Sequence, residues 1–217
     1  MKNVRIDIVS DVMCPWCVVG FLSLSKALEA MQDKVSANIH WQPFELNPGA
    51  PAEGQNMREH LMEKYGISEE QSVQNREQIR KAGEALGFTF NFTEDMRMAN
   101  TFNAHQLLHW SGEQDRAKQT ELKLALFNAH FTEGENVNDT NQLAELAAQV
   151  GLDKQEALAV IADQRFAMEV RANQQQWQEA GVRSVPAVIL QQKYLVSGGQ
   201  PPEAFIQALT QVMQEEA

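Results

Sequence analysis

The sequence is poor in three features, and each shortage excludes a class of protein. Only two of its 217 residues are cysteine, so a framework of several disulfides cannot stabilise the fold. No apolar stretch approaches the roughly 18–20 residues that a membrane-spanning helix needs. Positive charge is also scarce, because Lys and Arg number 18 against 29 Asp and Glu, giving a formal net charge of −11. Nucleic acid and anionic membranes are therefore not expected as partners.

The remaining composition is that of a folded protein with a substantial core. Hydrophobic residues make up 43% of the chain and charged residues 22%. The first residues do not resemble a secretory signal, because Asp7 interrupts any apolar run there. The sequence thus predicts a cytoplasmic protein in a reducing environment, where a lone C-x-x-C motif is more often catalytic or metal-binding than structural.

Both cysteines lie in one motif, Cys14-Pro15-Trp16-Cys17. It follows a β-type run and opens a helical one. Two thiols at this spacing can form a disulfide, break it and pass two electrons to another disulfide. A zinc site is disfavoured because structural zinc takes four ligands and the chain has no second C-x-x-C.

The hydrophobic pattern divides the chain into strand–helix–strand, a long helical block, and strand–strand–helix. The predicted ranges are strands over 4–9 and 37–42 around a helix over 15–32, helices over 56–180, strands over 185–190 and 193–197, and a last helix from 202. This order predicts an α/β fold with an all-helical insertion. We place the α/β domain at 1–55 and 165–217, and the insertion at 56–164.

Local signals subdivide the helical block. Three capping pairs predict helix starts: Ser68 with Gln71, Asp139 with Gln142, and Asp153 with Glu156. Five glycines predict breaks between helices: Gly66, Gly87, Gly112, Gly134 and Gly151.

Helical phase gives the two thiols different roles. Cys17 continues the apolar face of Phe21 and Leu24, so it should point inward. Cys14 precedes the first turn, where free N–H groups and the helix dipole should lower the pKa of its thiol. Pro15 suits the first helical position. We therefore expect Cys14 to attack, Cys17 to resolve the mixed disulfide, and Trp16 to line the site.

Val185-Pro186 is the second candidate site element. It precedes an apolar run, where a cis bond would let the backbone approach the cysteine pair. The residues alone leave this open, since only about 5–6% of X–Pro bonds in folded proteins are cis.

Two other interpretations of the candidate residues stay open. His105 and His109 have the i, i+4 spacing of metal ligands, but no acidic residue completes an H-E-x-x-H pattern, and no metal is expected. The cysteines could also be two buried small hydrophobic residues.

Several segments together resemble the DsbA-like branch of the thioredoxin fold, and within it the FrnE-type proteins. They are residues 11–17 (D-V-M-C-P-W-C), 41–48 (W-Q-P-F-E-L-N-P), 100–105 (N-T-F-N-A-H), 181–186 (G-V-R-S-V-P) and 197–202 (S-G-G-Q-P-P). The resemblance implies a thioredoxin fold with a helical insertion. It also implies an exposed nucleophile at Cys14, a resolving thiol at Cys17, and a cis Pro186 that lines the site with Val185, Pro15 and Trp16.

The function implied is a cytoplasmic thiol–disulfide oxidoreductase, a reductase or isomerase of protein or small-molecule disulfides. It needs no cofactor, and glutathione is the candidate redox partner. The alternative is a glutathione-dependent enzyme similar to kappa-type transferases and 2-hydroxychromene-2-carboxylate isomerases, in which Cys17 would be unnecessary. A redox-responsive chaperone or adaptor is a third, non-catalytic alternative.

Overall fold

The computed structural model describes residues 1–51 and 53–215, which form a four-stranded sheet, a two-stranded ribbon and a set of helices. The elements in chain order are β1 (Lys2–Ser10), α1 (Pro15–Ala30), β2 (Val35–Pro43), β3 (Gln55–Asn56), α2 (Met57–Tyr65), α3 (Glu69–Leu86), β4 (Arg97–Met98), α4 (Phe102–Gln114), α5 (Arg116–Phe131), α6 (Thr140–Gln149), α7 (Lys154–Asp163), α8 (Ala167–Glu179), β5 (Ala187–Leu190), β6 (Tyr194–Ser197) and α9 (Pro202–Glu215). None of the helices within these ranges is long and apolar enough to cross a membrane. The predicted α/β fold with helices between its two halves is confirmed.

The main sheet has the strand order β2-β1-β5-β6. β1 runs parallel to β2, as the predicted strand–helix–strand crossover requires, and antiparallel to β5. Ile8 of β1 therefore pairs with Trp41 on one side and Val188 on the other. The central strand ends at Ser10, four residues before Cys14, so the sheet delivers the cysteine motif to one of its edges.

β1 is buried on both faces from Ile6 onward, although Arg5 and Asp7 alternate with apolar residues in its sequence. Ile6 and Ile8 lie in the core cluster that includes α1 and α9, whereas Val9 belongs to a cluster on the other face. Asp7 is fully buried. Arg5 donates to its carboxylate at 2.8 Å, and the amide of Gln42 donates at 2.7 Å, so the buried charge is compensated.

The helical segment follows its capping signals. Ser68 and Gln71 form a reciprocal capping box, and Asp139 and Asp153 each accept a hydrogen bond from the backbone of the third residue of the helix that follows. Gly87 ends α3 in the left-handed region at φ 83°. Gly112 does not mark a break, because it lies inside α4. A Cβ there would approach Gln119 of α5 to 2.6 Å, so this glycine permits close packing of the two helices.

Residues 87–101 depart from the prediction of an almost wholly helical block. Phe88, Phe90 and Phe92 alternate along this segment, which is the period of extended chain. Phe90 stacks on Phe92 with ring centroids 5.5 Å apart and meets the edge of Phe131 at 5.3 Å. Aromatic packing thus holds the segment against α5 and leads it into the ribbon of β3 and β4.

Two large apolar clusters meet at the cysteine motif. Val12 and Met13 pack into the cluster of the helical segment, whereas Cys14 and Cys17 pack into the cluster beneath α1. Helix α5 contributes to both, with Leu122 and Leu126 in the first and Phe127 and Phe131 in the second. The division at 1–55 with 165–217 and 56–164 stays a prediction.

Candidate active site

Cys14 and Cys17 lie at the start of α1, and both are free thiols. Cys14 is the N-cap residue and Pro15 occupies the first turn, where its missing N–H leaves no donor unpaired. The N–H of Cys17 donates to the Cys14 carbonyl at 3.0 Å, which places the two side chains within one turn. Cys17 has no exposed surface, and Cys14 is 5% exposed. A substrate sulfur could therefore reach Cys14 before Cys17.

The loop before β5 covers the cysteine pair. The Val185–Pro186 peptide bond is cis, as the resemblance implies. Cys14 Sγ lies 3.6 Å from the carbonyl oxygen of Val185. Pro186 also packs on α1 so closely that a Cβ on Gly20 would lie 3.0 Å from its Cγ. These contacts bring two elements 171 residues apart in sequence to the same sulfur atom.

Trp16 forms the exposed rim of the site. Its side chain is 37% exposed, although it stands between two buried cysteines. The indole lies against Gly199, where a Cβ would approach Trp16 Cε3 to 2.8 Å. We define the outer face of the cysteine pair as Trp16, Val185, Pro186 and Gly199. It carries no ionisable group.

Behind the pair lies a buried carboxylate, Asp11, held by donors from three directions. The Leu46 N–H donates to Asp11 Oδ2 at 2.6 Å, and the Met13 N–H lies 3.4 Å from Oδ1. His105 Nε2 lies 2.9 Å from the Phe44 carbonyl and 3.5 Å from Asp11 Oδ1. Burial opposes ionisation of Asp11, but the hydrogen bond and charge of His105, with the Leu46 N–H, lower its pKa overall.

Lys123 of α5 is the second buried ionisable group behind the pair. It is 1% exposed, and its Nζ lies 4.9 Å from the ring centroid of Phe127 and 5.3 Å from that of Trp41. Burial lowers the pKa of Lys123 to about 8, although the nearby charges of Cys17, Asp11 and Cys14 oppose that change. We define the inner face of the pair as Ser10, Asp11, His105 and Lys123.

The pKa values of the two thiols move in opposite directions. Burial disfavours ionisation of Cys17, but the S–H of Cys14, the hydroxyl of Ser10 and the charge of Lys123 together lower the pKa of Cys17. The pKa of Cys14 is raised, first because its S–H donates to Cys17 and then because it is buried. Both changes favour the inner sulfur over the outer one as the place for a negative charge.

Two expectations about Cys14 are thus wrong. It is not exposed, because the loop of Pro186 covers the first turn of α1, and its pKa is not lowered, because the neighbouring thiol takes the negative charge. The structure does bring Cys14, Cys17, Pro15, Trp16, Val185 and Pro186 together.

Sequence reasoning missed the inner face. Lys123 precedes Phe127 by four residues, so helical spacing could have placed this lysine on an apolar face. The sequence points to His105 within a matching segment and as a metal ligand with His109. In the structure His105 contacts Asp11 and Phe44, while His109 lies 3.5 Å from Glu113. The described part of the chain holds no group of three or more His, Cys, Asp or Glu side chains arranged around a metal position.

The fold and the site together define a class: a thioredoxin-like α/β protein with two thiols at a helix start beside a cis-proline. The sequence profile of the DSBA-like thioredoxin domain matches residues 5–210, so this chain belongs to that family. It is similar to a probable DsbA oxidoreductase from Streptomyces coelicolor, with 38% identity and a TM-score of 0.89 over 98% of this chain and 91% of that one. The family assigns the chain to the DsbA-like oxidoreductases.

Two more distant structures share the fold. A 2-hydroxychromene-2-carboxylate isomerase is 14% identical, with a TM-score of 0.68 over 98% of this chain and 97% of that one. The cytosolic disulfide reductase DsbM from Pseudomonas aeruginosa, solved with glutathione, is also 14% identical, with a TM-score of 0.62 over 97% and 99% of the two chains. At this identity the likeness extends to the fold alone.

Proposed function

We propose that this protein is a cytoplasmic thiol–disulfide oxidoreductase that reduces or isomerises disulfides of proteins or small molecules. The observation that carries the proposal is the pair of free thiols one turn apart, of which only Cys14 has exposed surface, beside the cis Val185–Pro186 bond. The cytosolic reductase DsbM, which shares the fold, supports the compartment and the direction of the reaction.

The reaction uses the two sulfurs in turn. A proton passes from Cys14 to Cys17, which moves the negative charge to the accessible sulfur. The Cys14 thiolate attacks one sulfur of a substrate disulfide, forms a mixed disulfide and releases the first substrate thiolate. Cys17 then gives this proton to the released substrate thiolate, and the Cys17 thiolate attacks Cys14 Sγ, forms the Cys14–Cys17 disulfide and releases the second substrate thiolate. The substrate gains two electrons, and two thiols of the glutathione class restore the dithiol and leave as their own disulfide.

The outer face orients the substrate disulfide. Trp16 offers an exposed aromatic surface beside Cys14. The backbone that precedes Pro186 lies at the sulfur, since the Val185 carbonyl oxygen is 3.6 Å from Cys14 Sγ. A substrate strand that packs on this loop would present its sulfur to Cys14. No resident metal or cofactor is needed for any of these steps.

Substitution of each cysteine separately tests the proposal. Cys14→Ser should abolish disulfide exchange, because no accessible nucleophile remains. Cys17→Ser should accumulate a mixed disulfide, detected as a mass increase equal to the bound thiol after incubation with glutathione disulfide. The proposal is wrong if both variants exchange disulfides at the rate of the unsubstituted protein.

The same variants separate this function from a glutathione-dependent isomerase or transferase. That chemistry needs one activated group at the start of α1, so it should survive Cys17→Ala and depend on glutathione. The presence of a second thiol, fully buried behind the first, favours redox exchange.

A further inference from the structure

A cavity lies between strands β1 and β2, the start of α5 and helix α8. It has a volume of about 250 Å³, and no residue of the outer or inner face of the cysteine pair lines it. Among the residues that the structure describes, no Asp or Glu lines it either, although the formal net charge of the chain is −11. Its polar lining includes Arg5, His40, Arg116, Asn173, Gln176 and Gln192.

Arg116 brings to this cavity a cation that no carboxylate neutralises. Its Nη1 donates to the side-chain oxygen of Gln119 at 3.2 Å, and a Cβ on Gly112 of α4 would lie 2.9 Å from the same nitrogen. Every other arginine in residues 1–51 and 53–215 has a carboxylate or a backbone carbonyl as partner. The guanidinium group of Arg116 is therefore held in place while most of its N–H donors remain available to a ligand.

His40 of β2 adds a nitrogen without a partner beside two positive charges. Its Nε2 is buried and makes no hydrogen bond to any of the described residues. Burial lowers the pKa of His40, the charges of Arg116 and Arg5 lower it further, and the charge of Asp7 opposes them. The carboxylate of Asp7 already accepts from Arg5 and from the amide of Gln42. The cavity thus holds more positive charge than its neighbours compensate.

Three amide side chains from two further elements also line the cavity. Asn173 and Gln176 lie three residues apart on α8, and Gln192 lies in the turn between β5 and β6. Within the described part of the chain these three side chains make no hydrogen bond. Gln192 has φ 54°, a backbone conformation that few residues other than glycine adopt. Side-chain amides are common donors to phosphate oxygens.

The size of the cavity and the placement of its donors indicate the class of ligand. Its volume lies below the roughly 300 Å³ at which sites for drug-sized ligands begin, so the ligand must be small. The donors come from both strands, both helices and the β5–β6 turn, and they therefore surround the cavity instead of lying in one plane. A tetrahedral oxyanion can accept hydrogen bonds from all these directions, whereas a carboxylate accepts mainly in its own plane.

We propose that this cavity binds a small oxyanion of the phosphate class, with Arg116 as the principal cation and the amides of α8 and of the β5–β6 turn as further donors. The ligand is either inorganic phosphate or the phosphate group of a small metabolite. The inference goes beyond the proposed function, because neither thiol takes part. A bound anion would connect α5 and α8 to the sheet, so it should also raise the free energy of unfolding.

Titration with inorganic phosphate, at constant ionic strength maintained with chloride, tests the proposal. Arg116→Gln removes the charge from the cavity, and because Arg116 is exposed this variant should fold. Lys118→Gln is the matched control, since it removes the same charge from the same helix, but Lys118 pairs with Glu121 and does not line the cavity. Asn173→Ala tests the contribution of α8 independently.

The readout is the NMR signal of the His40 ring, identified by its loss in His40→Gln. Phosphate should shift this signal along a saturable curve and raise the pKa of His40, because a bound anion offsets the charges of Arg5 and Arg116. The other ionisable groups that face this region are Asp7 on β1 and His109 on α4, while α8 and the β5–β6 turn contribute uncharged side chains. Sulfate, which does not titrate in this pH range, should have the same effect.

Arg116→Gln should weaken phosphate binding about tenfold, because it removes a charge-assisted contact. Asn173→Ala should weaken it less, and Lys118→Gln should bind phosphate as the unsubstituted protein does. Melting temperature alone does not decide the question, since sulfate and phosphate also stabilise proteins through exclusion from their surface.

Three results would overturn the inference: no saturable shift at tens of millimolar phosphate, equal affinity in Arg116→Gln, or tighter binding of acetate than of phosphate. Glycerol 2-phosphate distinguishes the two sources of the ligand, because it should bind more tightly than inorganic phosphate if the site takes a phosphate ester and more weakly if it takes the free ion. Cys14→Ser should bind phosphate unchanged, so failure of this inference leaves the proposed function intact.

Discussion

The outer and inner faces of the cysteine pair differ in chemistry and in origin. The outer face is uncharged and comes from the start of α1 and the loops around β5 and β6, all parts of the α/β half. The inner face is buried and ionisable, and two of its members, His105 and Lys123, come from the helical segment between β2 and β5. The surface beside Cys14 and the buried ionisable groups behind the pair therefore come largely from different parts of the chain.

The helical segment thus contributes buried ionisable side chains to the site as well as apolar packing. Helix α5 places Leu122 and Leu126 in one apolar cluster and Phe127 in the other, so Lys123 stands where the two clusters meet. Asp11, Val12 and Met13 connect the same boundary to the cysteine motif, because Val12 and Met13 pack into the helical cluster. A shift of α5 against the sheet would move the charge relative to the sulfur.

The largest effect is expected from Asp11→Asn on the inner face. The asparagine amide cannot accept at both positions now filled by the Leu46 and Met13 N–H groups, and it loses the charge that His105 compensates. Disruption of such a buried network costs about 3–4 kcal/mol. Urea unfolding at pH 7 should show this loss, and Asp33→Asn, an exposed control, should not.

The same substitution should make the Cys14 thiol more reactive. The negative charge of Asp11 contributes to the raised pKa of Cys14, so its removal should speed alkylation of Cys14 at neutral pH. An alkylation rate of Cys14 that is unchanged in Asp11→Asn would mean that Asp11 acts through packing and not through charge.

The second effect concerns stability against acid. His130, 3% exposed on α5, has a pKa lowered by burial to about 4 from an ordinary 6.5. Between these two pH values the unfolded chain binds a proton at His130 and the folded chain does not. The free energy of unfolding therefore falls as pH drops from about 6.5 to 4. The loss from this residue approaches about 3 kcal/mol at pH 4.

Unfolding free energies from urea titrations at pH 7 and pH 4.5 measure this effect. His130→Phe keeps an aromatic ring against Phe131 and should remove this part of the pH dependence. His109→Gln is the control and should retain the dependence, since His109 is half-buried on α4. If the unfolding free energy changed by the same amount between pH 7 and pH 4.5 in the unsubstituted protein and both variants, His130 would titrate alike in the folded and unfolded chains.

The sequence identifies Trp16, Val185 and Pro186 of the outer face as site residues, but it does not identify the residues of the inner face as such. The reason is physical. The cysteine motif, its helix start and the Val185-Pro186 pair are local patterns, and local patterns determine helix phase and strand limits. The sequence points to Asp11 only within a matching segment, to His105 within another and as a metal ligand with His109, and to Lys123 not at all. Their burial depends on how α4 and α5 pack on β2, which periodicity alone does not specify.

The thiol charge shows the same limit. The motif and its helical phase place both sulfurs at the start of α1, as the structure has them. The helix-dipole argument, however, applies to Cys14 alone. In the structure the inner thiol competes for the negative charge, and Ser10 and Lys123 stabilise that charge. Those neighbours are distant from Cys17 in sequence or lie on another element, so a rule about one helix could not include them.

The smallest effect is expected on the outer face, from Trp16→Ala. The indole is 37% exposed and carries no charge, so its removal should cost some packing against Gly199 and leave the charges around the thiols in place. Loss of an aromatic contact with a bound substrate costs about 1–2 kcal/mol, which lowers kcat/KM for a peptide disulfide about tenfold. The thiolate titration should stay where it is in the unsubstituted protein. Tyr65→Ala, which removes a more exposed aromatic residue from α2, should leave kcat/KM unchanged. A large change in the thiolate titration of Trp16→Ala, with kcat/KM intact, would mean that the outer face also controls the charge of the pair.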